Sequence, residues 1–247
     1  MRNSQNQHGV HSPFVYDLVT NCFYDKTNYP EYDLIRKYRN ELLSDKSEIT
    51  IKDFGAGSKV FSSNKRPIFS IAKNSGITYY RAKLLYRLVN FLNIENALEL
   101  GTSLGIASAA ISVNQKTKLV TLEGCPNIAT IAAKQFEKFA LQNIDLRVDT
   151  FANTIPEILE NHLNFDLIYF DGNHQKQATL DYFEQLLPLA HNNSVFIFDD
   201  IHWSAEMEEA WEIIKSHPKI SVSIDTYQWG LVFFRKEQLK QHFSIRV

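Results

Sequence analysis

From Asn96 onward the chain alternates between short apolar runs and segments with helical spacing, and this alternation restricts the fold more than any other feature. The runs "NALELG", "TKLVTLEG", "IDLRVD", "FDLIYFDG" and "NSVFIFDD" are rich in Val, Ile, Leu and Phe. After them, apolar residues recur at helical intervals over about 103–113, 126–141, 154–162, 175–188 and 204–216. Strands that alternate with helices pair in parallel, and near-continuous apolar strands imply cover on both faces. The last two runs, "ISVSIDT" and "WGLVFFR", stand only a few residues apart. That spacing is too short for a helical crossover and predicts an antiparallel hairpin at the sheet's edge.

Residues 1–92 have another character: rich in tyrosine, with helical periodicity over 14–23, 32–43 and 79–92 and a polar glycine-serine-lysine segment between. The chain therefore divides into a helical N-terminal extension, 1–77, and an α/β domain, 78–247. A length of 247 residues at 44% hydrophobic composition fills a sizeable core. The formal charge of −2 offers no electrostatic footprint for nucleic acid or an anionic membrane. No apolar run approaches the ~18 residues of a membrane span. With only Cys22 and Cys125 there is neither a disulfide framework nor a CxxC metal spacing. The expectation is a cytoplasmic protein acting on a small molecule, with no nucleic-acid or membrane partner. Its aromatic N-terminal helices are candidates for a homodimer contact.

Two glycine turns compete for a nucleotide-like ligand. Such a site needs a buried strand before it, glycines that let the backbone approach closely, and a helix starting at once. "IKDFGAGSKVFSSNK", residues 51–65, supplies the glycines but runs on through loop composition to Pro67. "NALELGTSLGIASAAISV", residues 96–113, supplies all three, with Thr102 and Ser103 between Gly101 and Gly105. Its G-x-x-x-G spacing lacks the third glycine of a dinucleotide fingerprint, which argues against NAD. Glu123 closes the next strand 24 positions after Glu99, placed to accept from ribose hydroxyls. The same offset from Asp53 falls on Ile77.

The motifs "ELGTSLG", "TLEG", "FDLIYFDGNH" and "FIFDD", in this order over roughly 78–235, resemble class I S-adenosylmethionine-dependent methyltransferases of the catechol and caffeoyl-CoA O-methyltransferase branch. The resemblance implies a Rossmann-like fold with helices on both faces of a seven-stranded, mostly parallel sheet whose last strand is antiparallel. It implies S-adenosylmethionine as cofactor and methylation of a hydroxyl on a small aromatic or natural-product acceptor. Glu99, Gly101 and Gly105, with Thr102 and Ser103, match the turn facing the methionine part. Glu123 matches the ribose acid, and Asp149 and Thr150 stand where the family contacts adenine.

Asp171, Asp199 and Asp200 end two successive strands, at the carboxyl edge where open α/β folds bind ligands. Crowded carboxylates repel one another unless a cation compensates, and hard oxygen ligands suit Mg²⁺ or Ca²⁺. The resemblance implies a divalent metal at these three positions, with Asp200 replacing an Asn, and gives Asp171 further roles beside cofactor and reaction. His174, three residues after Asp171, matches the base that takes the acceptor's proton, a task suited to imidazole. His202 and Trp203 border the implied acceptor pocket, where Trp203 either stacks on a substrate or packs the start of the following helix. In the extension, Lys59 and Arg66 are candidates to meet an acidic acceptor group as part of a lid. Two other readings stand beside this one: a metal-free methyltransferase acting on N, S or carboxylate, and a non-catalytic S-adenosylmethionine-binding protein.

Overall fold

A computed structural model describes residues 11–52, 64–161 and 164–247. In chain order the elements are α1 (Pro13–Leu18), which continues into a π-helical turn (Val19–Phe23), then α2 (Glu31–Ser44), β1 (Glu48–Thr50), β2 (Lys65–Pro67), α3 (Ile68–Asn74) and α4 (Tyr79–Phe91). The alternation follows: β3 (Asn96–Leu100), α5 (Ile106–Ser112), β4 (Lys118–Glu123), α6 (Pro126–Lys138), β5 (Ile144–Val148), α7 (Phe151–Glu160), β6 (Leu167–Phe170) and α8 (Lys176–Leu186). It ends with β7 (Val195–Asp199), α9 (Ala205–Ser216), β8 (Val222–Asp225), β9 (Trp229–Phe233) and β10 (Gln241–Ser244). The contacts divide these into two compact units, Lys26–Thr154 and the pair of segments Met1–Asp25 and Ile155–Val247. This cut differs from the 77/78 boundary expected from composition.

In the unit Lys26–Thr154, β3 pairs in parallel with β4, and β4 with β5. Every residue of α5 is buried, and five of its seven are Ala or Ser, so this helix packs closely. Its neighbour α6 begins on Pro126, which forgoes only a donor that a first helical turn leaves unused. Ala129, Ala132 and Phe136 then follow one buried face. The short pair β1 and β2 is antiparallel, with Ile49 opposite Arg66.

In the other unit, β6 and β7 are parallel and fully buried, and Phe170 stacks on Phe198 with ring centroids 4.4 Å apart. Strand β9 runs antiparallel to both β7 and β8, which is the expected hairpin. The hairpin does not close the sheet: β10 adds in parallel to β8, Ser244 opposite Asp225. The mixed, mostly parallel sheet therefore has eight strands where the resemblance implied seven. Gly230 lies so close to the Trp211 ring that a Cβ would sit 2.6 Å from it, which fixes both the glycine and the buried tryptophan. The N-terminal segment belongs here too, with the Phe14 ring edge-on to Phe233 at 5.0 Å and Ser12 Oγ donating to Gln238 Oε1 at 3.0 Å.

Candidate functional site

The turn after β3 is held peptide by peptide. The N–H groups of Gly101 and Thr102 both donate to Leu122 O, at 3.0 and 3.1 Å, which binds the turn to the end of β4. Ser103, at φ 48, and Gly105, at φ 77, adopt the left-handed conformation. That region costs a residue with a Cβ roughly 1–2 kcal/mol and costs glycine almost nothing. Ser103 N donates to Glu123 Oε2 at 2.9 Å, and Cys125 N donates to Glu123 Oε1 at 2.8 Å. Glu123 thereby joins the turn after β3 to the turn after β4. Burial raises its pKa, against the pull of these backbone donors.

Glu99 lies underneath. It is fully buried. Its Oε2 accepts from Ser108 Oγ and, at 2.6 Å, from Thr121 Oγ1, while Oε1 has no partner. Burial raises its pKa to about 7, with the Glu123 charge adding to the rise and the two hydroxyl bonds opposing it. Glu99 thus ties β3 to α5 and β4. Gly101, Ser103, Glu123 and Gly124 are the partly exposed members of the two turns. Glu123 takes backbone N–H groups of Ser103, Gly124 and Cys125, and a carboxylate with about four acceptor positions keeps capacity for a ribose hydroxyl. These residues fit S-adenosylmethionine.

At the end of β5, Asp149 accepts from Thr150 N at 2.6 Å and from Asn153 Nδ2 at 3.0 Å. The bonds from Thr150 and Asn153 lower its pKa and make it the entrance to α7. The stretch Asp53–Ser63, with Lys59 and the expected lid, lies outside the described residues. The segment just before it is tied to the end of the β4 turn and the start of α6: Lys52 N donates to Cys125 Sγ at 3.3 Å and Asn127 Nδ2 to Thr50 O at 2.6 Å. Arg66 is buried on β2, not presented as an exposed cation.

In the other unit Asp171 follows β6 and Asp199 ends β7, so the two acids close neighbouring parallel strands. His174 Nε2 stands 3.8 Å from Asp171 Oδ1, both side chains partly exposed. This separation is longer than a hydrogen bond. Asn173, at φ 62, turns the chain between them.

The metal expectation meets a different geometry. Asp199 is buried, and its oxygens accept from Tyr169 Oη at 3.2 Å and from Asp200 N at 2.8 Å. Among the described residues no three His, Cys, Asp or Glu side chains gather into a metal-holding group. Each Asp199 oxygen takes one internal donor and keeps a further acceptor position. His202 is likewise engaged, Nδ1 with Glu208 and Nε2 with Asp225, each at 3.0 Å, under the stacked Tyr227 ring. Burial lowers its pKa, but these two carboxylates outweigh it and leave it raised. Trp203 is 44% exposed. Sequence reasoning missed Ser108, Thr121 and Tyr38; the i+9 spacing of Ser108 from Glu99 was the one local signal available.

Residues 98–201 match a family described as a methyltransferase domain. No curated protein sequence matches the chain. Solved structures do: an S-adenosylhomocysteine-bound Podospora anserina methyltransferase at TM-score 0.65 and 14% identity, covering 92% of this chain and 97% of its own. The O-methyltransferase TomG of Streptomyces achromogenes, involved in tomaymycin synthesis and bound to S-adenosylmethionine, follows at TM-score 0.61 and 15% identity, covering 90% and 95%. A Bacillus cereus O-methyltransferase in complex with S-adenosylhomocysteine gives TM-score 0.55 and 19% identity, covering 89% and 96%.

Proposed function

We propose that this chain, which carries a methyltransferase domain in the class I methyltransferase fold, is an S-adenosylmethionine-dependent O-methyltransferase acting on a hydroxyl of a small aromatic or natural-product acceptor. The observation that carries the reading is the Glu123 carboxylate clasping the Gly101–Gly105 turn while keeping acceptor capacity on a partly exposed surface. Bound there, S-adenosylmethionine supplies a methyl group activated on its sulfonium. The protein's part is to orient and to move a proton. Gly101 and Ser103 offer close backbone approach beside Glu123, and Asp149 and Thr150 end the strand expected to meet the adenine.

His174 takes the proton of the acceptor hydroxyl, and the Asp171 carboxylate 3.8 Å away stabilises the imidazolium that results. The acceptor oxygen, relieved of its proton, is then the nucleophile, and alignment supplies much of the rate. No step is routed through a metal. Calorimetric titration with S-adenosylmethionine, followed by assay of S-adenosylhomocysteine formation with a panel of catechols and other phenols, tests the proposal. Absence of cofactor binding would remove it, and binding without turnover on any hydroxylated acceptor would leave the non-catalytic reading.

A further inference from the structure

The glycine turn has a third clasp that comes from far outside the matched domain. Tyr38, fully buried on α2, donates from Oη to Leu104 O at 2.9 Å. On the other side of the same peptide unit, Gly105 N donates to Thr102 O at 2.8 Å. Both polar groups of the 104–105 peptide are therefore fixed, one by the turn itself and one by the N-terminal helix. A Cβ at Gly105 would meet Tyr38 Oη and Phe136 Cε1, each at 2.5 Å. The phenol thus sits directly on the residue whose left-handed backbone bends the turn toward α5. Its ring is held in turn by Phe136, stacked at 6.4 Å, and Phe139, tilted at 5.1 Å. One helix turn further on, Glu41 pairs with Lys138 at 2.6 Å and ties α2 to α6 a second time.

We propose that Tyr38 is a positioning residue for the cofactor turn, setting the 104–105 peptide plane and through it the approach of Gly101 and Ser103 to the ligand; this rests on the assignment of that turn to S-adenosylmethionine. The N-terminal helix then belongs to the cofactor site and does not serve the acceptor alone. Burial, reinforced by the Glu99 charge, holds the phenol's pKa well above its ordinary value, so the hydroxyl remains a donor throughout the working pH range.

The test compares wild type, Tyr38→Phe and Ile35→Val by calorimetry with S-adenosylmethionine and by steady-state kinetics. Tyr38→Phe removes one oxygen and keeps the ring between Phe136 and Phe139, so the variant folds. Its cofactor affinity should fall about five- to tenfold, the loss of one buried hydrogen bond. KM for S-adenosylmethionine should rise in step, with kcat at saturating cofactor within about twofold of wild type, as for lost uniform binding. Ile35→Val removes a buried methyl from the same helix. It should lower Tm and leave affinity unchanged. Equal affinity of Tyr38→Phe and wild type would overturn the proposal, as would an equal loss in Ile35→Val, which would reduce α2 to general support. If wild type itself binds no cofactor, it is the proposed function that fails.

Discussion

Glu99→Gln separates charge from shape at the base of the turn after β3. In the folded protein the Glu99 pKa is raised from 4.5 to about 7, chiefly by complete burial. The native state therefore holds this proton more tightly than the unfolded chain does. The stabilisation is fully present below pH 4.5 and is lost as pH rises through about 7. At about 1.4 kcal/mol per decade, the span between those two values is worth on the order of 3 kcal/mol. Glutamine is neutral throughout, and its carbonyl oxygen can accept from Ser108 and Thr121 as Oε2 does. Tm measured by circular dichroism from pH 5 to pH 8.5 should therefore fall more steeply for wild type than for the variant. Every other titrating group is common to both, so the difference between the two curves isolates this carboxyl. For a chain of this size the difference should widen in favour of glutamine by roughly 6–12 °C. Parallel curves would refute the reasoning and show that Glu99 titrates alike in the native and unfolded states.

Three further outcomes are expected. His174→Ala should lower kcat by about 10²–10⁴-fold, the usual worth of a general base, with calorimetric affinity for S-adenosylmethionine unchanged. Gly105→Ala should lower Tm and abolish measurable cofactor binding, because the added Cβ meets Tyr38 and Phe136 at a φ of 77. EDTA should leave turnover unaltered and Mg²⁺ should give no binding heat, since among the described residues no three His, Cys, Asp or Glu side chains gather into a metal-holding group.

The helices and parallel strands from Asn96 onward were legible because burial imposes a period that survives in one dimension. The hairpin was legible for a similar reason: its connection is too short to be anything else. β1 and β2, three residues each, are too brief to show a period, and β10 mixes Gln, His, Phe and Ser in a stretch with one buried position. The turn glycines and Glu123 could be placed at neighbouring strand ends because offsets encode them. The partners of His202 could not: Glu208 and Asp225 lie 6 and 23 positions away and meet it only through the packing of α9 and β8. Tyr38 was hidden for the same reason. Helical spacing marks it as buried, and nothing local says that its hydroxyl ends on a carbonyl 66 positions later.

The parallel addition of β10 to β8 has a consequence for handling the protein. Val222, Ser223 and Ile224 are buried, and without Gln241–Ser244 the hydrogen-bonding groups of β8 on that side would form a bare, apolar edge. Such edges template self-association between chains. Substitutions that unseat Gln241–Ser244 would therefore turn β8 into an adhesive edge while leaving the turns after β3 and β4 untouched.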